Sequence, residues 1–152
     1  MRVVPDQSVL LVEDSPEDYE ATVRGLEKAG LKNKIFRCVD GEDALDFLYH
    51  RGAYQEPSTS PRPGIILLDL NLPGTDGREV LTEIKGDKCL HTIPIVILTT
   101  SSDEQDIRDC YENGANSYIK KPVDLEGFML AMSRLNDYWL HVVVLPKDGG
   151  MS

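Results

Sequence analysis

Five short, mostly apolar runs, separated by segments with the periodicity of amphipathic helices, constrain the fold of this chain more than any other feature. Most of the runs are rich in Val, Ile and Leu, which suit buried strands. Alternation of such strands with helices is typical of a parallel sheet covered on both faces. We therefore predict one α/β domain with strands at residues 9–12, 35–39, 65–68, 95–98 and 117–119.

The segments between these runs carry helix-capping signals. Ser15 is an N-cap candidate that begins the first helix, and Gly30 ends that helix. Ser102 lies three residues before Gln105, which is the spacing of a capping box, and is predicted to begin the fourth helix. The last helix begins at about Asp124. We interpret the apolar stripe of each helix as a face that packs on the core.

One segment before the third strand lacks a helix or strand pattern. Residues 51–64 contain Pro57, Pro61 and Pro63 together with a Ser-Thr-Ser run. Proline fixes φ and removes a backbone donor. We therefore predict an irregular surface loop here.

The charge balance argues against binding to polyanions. The chain of 152 residues has 16 Lys and Arg against 26 Asp and Glu, a formal net charge of −10. Broad attraction to nucleic acid or to an anionic membrane requires the opposite sign. A protein partner or a small cationic ligand is expected instead.

The cysteines and the N-terminus indicate the cellular compartment in which the protein is expected. Cys38, Cys89 and Cys110 are odd in number and include no CxxC pair, so neither a disulfide framework nor a zinc site is predicted. We interpret them as small buried side chains in a reducing compartment. No signal-peptide core follows Met1, and the cytoplasm is the expected location.

Acidic residues lie at the ends of two predicted strands. Glu13 and Asp14 follow the first strand directly, and Asp69 closes the third. In a parallel sheet the carboxyl ends of the strands lie along one edge, where ligands bind near the switch in strand order. Three carboxylates there repel each other unless a cation shares the pocket. We predict a Mg²⁺ (or Mn²⁺) site, in preference to the simpler interpretation that Asp14 and Ser15 only cap the first helix.

A hydroxyl and an ammonium group are predicted at the same edge. Thr99 follows the fourth strand and Lys121 follows the fifth. Alone, Thr99 could be a helix cap and Lys121 a solvated charge. Together they supply the hydroxyl and the cation that a phosphoryl group on Asp69 needs beside a metal ion.

Four short motifs, in this order, make the chain resemble a known family. They are VEDS at 12–15, LDLNLPG at 68–74 with Asp76-Gly77 after it, LTTS at 98–101 and KP at 121–122. The set resembles the response-regulator receiver domains of two-component signalling. The resemblance covers about residues 8–138 and implies a flavodoxin-like (βα)5 doubly wound parallel sheet with strand order 2-1-3-4-5.

The resemblance implies a role for each acid of the pocket. Asp69 is the implied phosphoacceptor, which attacks a phosphohistidine on a sensor histidine kinase. Asp14 is an implied direct ligand of Mg²⁺, and Glu13 is an implied ligand through water. The backbone carbonyl of Asn71 completes the ligands that the protein supplies. Position 13 more often carries Asp in the family, but the longer Glu13 side chain suits a water-bridged role.

The resemblance also assigns the groups around the phosphoryl group. Thr99 is expected to bond to it and Lys121 to pair with it, and the peptide bond before Pro122 is expected to be cis. Tyr118 falls at the position of the family's switch aromatic, although an ordinary half-buried strand tyrosine is the simpler interpretation. Phosphorylation is expected to bias Thr99 and Tyr118 toward an inward arrangement.

Other runs are similar to single-domain regulators that are paired with bacterial and cyanobacterial phytochromes. They are the proline-rich loop, GREVL at 77–81, LTTS at 98–101 and YWL at 138–140. This likeness implies a phytochrome-type sensor histidine kinase as the partner.

The C-terminal end is unexpectedly apolar. We assign residues 1–140 to the receiver domain and 141–152 to a tail, with an apolar, β-branched run at 140–146. Such a run is sticky when exposed, so we expect it to pack on its own domain or, our preference, on a second copy in a homodimer. The face with Tyr111 and Tyr118 competes as the dimer surface. With no DNA-binding module expected after the receiver, output should pass to an unidentified downstream protein.

Three other functions fit parts of the pattern. A Mg²⁺-dependent phosphatase with an aspartate nucleophile would want a second Asp as proton donor where this chain has Asn71. A flavodoxin would need a phosphate-binding loop where Glu13 and Asp14 would repel the phosphate. A constitutive interaction module of receiver fold would not need the complete pocket. We predict no enzyme activity beyond self-phosphorylation and slow autodephosphorylation.

Overall fold

A single five-stranded parallel sheet forms the centre of the molecule. The computed structural model describes residues 7–121 and 124–138. The strands are β1 Val9–Val12, β2 Ile35–Cys38, β3 Ile65–Asp69, β4 Ile95–Thr99 and β5 Ser117–Lys120. They lie in the order β2-β1-β3-β4-β5, and every pairing is parallel. The predicted fold class and strand order are therefore confirmed.

Helices cover both faces of this sheet. They are α1 Pro16–Lys28, α2 Gly41–Tyr49, α3 Gly77–Lys85, α4 Glu104–Glu112 and α5 Leu125–Asp137. Alternate strand residues point to opposite faces, so the sheet contributes to two apolar clusters. One cluster joins the sheet to α1 and α5, and the other joins it to α2, α3 and α4.

The third and fourth strands are each one residue longer than predicted. Asp69 is the last residue of β3 and is paired in register with Leu98, while Thr99 is the last residue of β4 and is paired with Lys120. Both polar side chains are thus attached to backbone that the sheet holds rigidly. The strands end at these residues because the following segments turn away as loops.

The capping predictions succeed at the first helix and fail at the fourth. Ser15 caps α1, and its hydroxyl accepts a hydrogen bond from the backbone N–H of Asp18. The prediction that Ser102 begins α4 was wrong, since the N-cap is Asp103. The Asp103 carboxylate accepts from the backbone N–H groups of Gln105 and Asp106, and an ionised acceptor satisfies two helix-terminal donors better than a hydroxyl.

The segment 51–64 is more ordered than its prolines suggested. It contains a short 3-10 helix at Gly52–Tyr54, which corrects the expectation of no regular structure. The Tyr54 ring packs edge-on against Phe47 of α2, with ring centroids 5.1 Å apart. Ser60 is buried and donates to the carbonyl oxygens of Tyr54 and Glu56. The Tyr54 ring therefore packs the segment on α2, and the Ser60 hydroxyl stabilises the segment internally.

The cysteine prediction holds for two of the three residues. Cys38 and Cys110 are buried, and burial raises the pKa of both thiols, that of Cys110 to about 11. Cys89 is exposed, so its predicted burial was wrong. It lies between α3 and β4, where the chain crosses the surface.

The peptide bond before Pro122, Trp139 and the tail 141–152 lie outside the described residues. Within 7–121 and 124–138, none of the helices combines the length and the apolar character needed to cross a bilayer.

Candidate functional site

The predicted site residues lie together at the carboxyl edge of the sheet. Glu13 follows β1, Asp69 and Thr99 end their strands, and Lys121 follows β5. All four side chains are buried, and Thr99 is fully so. Asp14 is exposed, so the pocket has one carboxylate on the solvent side. This edge includes the point between β1 and β3 where the strand order switches.

Three carboxylates form a cluster of a size that suits a cation. Glu13, Asp14 and Asp69 each offer an oxygen, and these oxygens lie within 4.8 Å of one another. Hard divalent cations prefer carboxylate oxygens, and Mg²⁺ retains several waters. Two buried ligands and one exposed ligand leave room for such waters and for a substrate group. The residues therefore fit a divalent metal ion.

Lys121 is the cationic centre of the pocket. Its Nζ donates to Glu13 Oε1 at 2.7 Å, to Asp18 Oδ2 at 2.9 Å and to Asp69 Oδ2 at 3.2 Å. The lysine side chain is only 6% exposed. The backbone N–H of Lys121 donates to the carbonyl of Thr99 at 2.6 Å, which extends the β4–β5 pairing by one residue. Sheet pairing thus fixes the point from which the ammonium group reaches the acids.

The electrostatics of the pocket follow from this crowding. Burial raises the pKa of Glu13 to about 7; the charge of Asp69 adds to the rise, and the hydrogen bond from Lys121 opposes it. Burial alone would lower the pKa of Lys121, but the hydrogen bonds to Glu13 and Asp18 and the charge of Asp69 raise it above its ordinary value. The lysine is therefore fully protonated, and the acids retain an excess of negative charge that favours a second cation.

The loop after β3 is attached to the pocket by short contacts. The backbone N–H of Asn71 donates to Asp69 Oδ1 at 3.1 Å, and the Asn71 amide nitrogen lies 3.4 Å from Thr99 Oγ1. A Cβ on Gly77 would overlap the backbone carbonyl of Asp69 and lie 2.7 Å from the Cα of Leu70. Glycine is therefore required where α3 approaches the end of β3, which explains the Asp76-Gly77 motif.

Arg37 supports the acidic loop from the second strand. Its guanidinium donates from Nε to the Glu13 carbonyl at 3.2 Å and from Nη2 to the Asp14 carbonyl at 3.3 Å. The same group lies 4.6 Å from the centroid of the Tyr19 ring. These contacts hold the backbone of the β1–α1 loop while leaving its carboxylates free to face the pocket.

Tyr118 and Thr99 both contact the segment after β4. The Tyr118 hydroxyl donates to the Ser101 carbonyl at 3.0 Å, and the Ser101 backbone N–H donates to Thr99 Oγ1 at 3.3 Å. Ser101 Oγ donates to Asp106 Oδ2, which also receives Arg78 Nη2, each at 2.8 Å. The hydrogen bonds to Arg78 and Ser101 lower the pKa of Asp106. Hydrogen bonds thus connect the pocket to α3 and α4.

Sequence reasoning missed two of the residues that complete the site, Asp18 and Arg37. Asp18 was one of two acids in the first turn of α1, where acids are common because of the helix dipole. Arg37 lay in a strand of weak composition. Neither residue lies at a strand's carboxyl end, so only the packing of α1 and β2 against the pocket identifies them.

Comparison with known proteins places these features in a family. The response regulator receiver domain family matches residues 9–133. Response regulator Rcp1 of Synechocystis sp. is 41% identical over 142 residues, which is 93% of this chain and 95% of Rcp1. The Mn²⁺-bound crystal structure of Rcp1 has a TM-score of 0.87 to this chain, at 40% identity, and covers 93% of this chain and 99% of its own. The phosphorylated cyanobacterial phytochrome response regulator RcpA also has a TM-score of 0.87, at 37% identity and the same coverage.

Proposed function

This chain belongs to the response regulator receiver domain family, and from that premise we propose that it accepts a phosphoryl group on Asp69 from a sensor histidine kinase. The observation that carries the proposal is the grouping of Asp69 with Glu13, Lys121 and Thr99 at one sheet edge. A nucleophilic carboxylate there has an acid cluster for a metal ion on one side and a fixed ammonium group on another. Signalling then passes to an unidentified downstream protein through protein contacts.

A divalent cation is part of the proposed reaction. Mg²⁺ or Mn²⁺ would be held by Asp14 directly, by Glu13 through water and by the backbone carbonyl of Asn71, beside Asp69. When bound, the cation supplies charge stabilisation for the oxygens of the transferred group. The Mn²⁺-bound form of Rcp1 supports this assignment. Burial is the main cause of the raised pKa of Glu13, and the charge of Asp69, which such a cation would neutralise, adds to it.

The transfer itself needs few protein groups. An Asp69 oxygen forms the bond to phosphorus while the bond from phosphorus to the kinase imidazole nitrogen breaks, and the electron pair of that bond stays on the nitrogen. Lys121 Nζ and the Thr99 hydroxyl stabilise the phosphoryl oxygens. Asn71 cannot act as a general acid, so a phosphatase cycle lacks a proton donor at this position.

The kinase is proposed to be of the phytochrome type. RcpA is a phytochrome response regulator, and it and Rcp1 match this chain over nearly their whole lengths. A cytoplasmic location remains a prediction from sequence.

The proposed function predicts phosphorylation by a small-molecule donor. Incubation with acetyl phosphate and Mg²⁺ should add one phosphoryl group, because the pocket and not the kinase supplies the nucleophile and the charge stabilisation. Intact mass spectrometry measures the adduct, and an acyl phosphate is labile to both acid and base. Omission of Mg²⁺ in the presence of a chelator should prevent the reaction. The absence of an adduct under saturating donor and metal would contradict the proposal.

The switch is proposed to run from Thr99 through Ser101 to Tyr118. The hydrogen bonds of Ser101 to Thr99 and Tyr118 support this, since a Thr99 hydroxyl that moves to donate to a phosphoryl oxygen would shift the Ser101 N–H from which it accepts. Phosphorylation would then change the packing of the segment before α4. Tyr118 is the group that would report the change at the surface.

We further propose that the chain forms a homodimer through its C-terminal tail. The support is the apolar run at 140–146, since such a run is costly to expose. A chain truncated after Trp139 should lose the dimer in size-exclusion chromatography with light scattering. The matched variant Tyr111→Ser changes an exposed aromatic on α4, the competing surface, and should remain dimeric. A dimer that persists in the truncated chain and is lost in Tyr111→Ser would assign the interface to α4.

A further inference from the structure

Asp18 contacts the pocket from outside the sheet edge. It lies in the first turn of α1, yet its Oδ2 accepts from Lys121 Nζ at 2.9 Å, across 103 residues of sequence. Its side chain is 41% exposed, whereas the other two partners of Lys121 are almost completely buried. Asp18 therefore lies on the solvent side of the ammonium group, opposite the buried acids.

The helix terminus fixes the position of Asp18. Its backbone N–H donates to the capping hydroxyl of Ser15 at 3.2 Å, and its carbonyl accepts from Thr22 Oγ1 at 2.7 Å. These bonds hold the backbone in a capped helical turn. Only the rotamers of the short side chain remain to be fixed, and the bond to Lys121 fixes them at little entropic cost.

The three acceptors of Lys121 differ in what else they must do. An ammonium group has three N–H donors, and Glu13, Asp18 and Asp69 match them. Under the proposed function, Asp69 carries the phosphoryl group and Glu13 turns toward the water shell of the metal ion. Asp18 is not a member of the acid cluster found among the described residues. It is the one partner that can keep its bond to Lys121 before and after transfer.

We propose that Asp18 is a positioning residue that holds the Lys121 ammonium group in place while the phosphoryl group enters. This inference rests on the proposed function. Without Asp18, one N–H of Lys121 donates to water instead. The Lys121 side chain then moves with Glu13 or turns outward to solvent. The phosphoryl oxygens then meet a less well placed cation, so transfer is slower although the metal ligands are intact.

The test compares two acids in the same helical turn. At saturating Mg²⁺, Asp18→Ala should slow phosphorylation by acetyl phosphate by about five-fold. The matched control is Glu17→Ala, because Glu17 is an exposed first-turn acid that contacts only the Ser15 hydroxyl in the hydrogen bonds described. Its rate should stay within about two-fold of wild type. Asp18→Asn keeps an acceptor oxygen and should recover most of the rate. The apparent affinity for Mg²⁺ should change in neither Ala variant, which separates positioning from metal binding.

A double-mutant cycle shows whether Asp18 acts through Lys121. In a Lys121→Gln background, Asp18→Ala should have no further effect on the rate, because the group it positions is gone. An undiminished effect in that background would overturn the inference. Equal rates for wild type, Glu17→Ala and Asp18→Ala would overturn it too while leaving the proposed function intact. A wild-type chain that accepts no phosphoryl group would contradict both this inference and the proposed function. Circular dichroism checks that each variant is folded. Asp18→Ser, which also removes the carboxylate, replaces the alanine variant should that variant fail to fold.

Discussion

Asp69→Asn should abolish phosphorylation while leaving the fold intact. The amide cannot attack phosphorus as a carboxylate does, and no other acid of the pocket has the same surroundings. Asp14 is exposed, and Glu13 is directed at Lys121 from the β1 side. Intact mass after incubation with acetyl phosphate and Mg²⁺ measures the result. The expected signal is that of the unmodified chain, a loss of at least about a hundred-fold in rate.

The variant is informative because its stability should change little. Lys121 keeps its bonds to Glu13 and Asp18, and removal of one of the crowded negative charges offsets the lost ion pair. We expect the free energy of unfolding in urea to stay within about 1 kcal/mol of wild type. Glu17→Gln, an exposed charge change outside the pocket, is the control and should be phosphorylated normally. Labelling of Asp69→Asn at the wild-type rate would show that another residue is the phosphoacceptor.

Lys121→Met should destabilise the apo protein by about 3 kcal/mol, because it leaves two buried carboxylates without their cation. The ion pairs described for Glu13 and Asp69, within the part of the chain that the structure covers, are both to this lysine. The pair with Asp18 contributes less, since water screens a side chain that is 41% exposed. The methionine fills a similar volume, so the loss is electrostatic and not a cavity effect. Urea unfolding in the presence of a chelator gives the free energy.

Mg²⁺ should restore more stability to this variant than to wild type. The metal ion and the ammonium group neutralise the same carboxylates, so removal of one strengthens the binding of the other, and a ligand that binds the folded state raises the Tm. Lys120→Met is the matched control, since its side chain is adjacent in sequence and exposed. It should lose less than about 0.5 kcal/mol. Equal stability of the two variants without metal would show that Lys121 is not the counter-charge of the pocket.

The fold was predictable because its signals are local and repeated. β1, β3 and β4 are short runs that are apolar up to their last residues, and the residue that ends such a run lies at the sheet edge. Asp69 and Thr99 could therefore be assigned to one pocket from their position in sequence alone. Lys121 was predicted from the same rule. The structure adds that Lys121 already pairs with Glu13 and Asp69, which links the lysine to the metal-binding acids as well as to the expected phosphoryl group.

The features that sequence reasoning missed depend on tertiary packing. Asp18 reaches Lys121 through the packing of the start of α1 against the sheet edge, and nothing in its own turn of sequence distinguishes it from Glu17. Ser102 was the predicted N-cap of α4, whereas the observed cap is the next residue, Asp103, and this one-residue difference depends on where the chain leaves β4. The exposed position of Cys89 depends likewise on how the segment between α3 and β4 crosses the surface.

The contacts of Lys121 also have a topological consequence. Its ammonium group joins Glu13 to the end of β5 at a sequence separation of 108, so the hydrogen bonds to Glu13 and Asp18 close most of the domain into a ring without a covalent link. Closing a loop of this span costs more conformational entropy than forming a local contact does. A ligand that enters the pocket and changes these hydrogen bonds therefore alters the contacts between the first and last thirds of the chain, and not those of one loop alone.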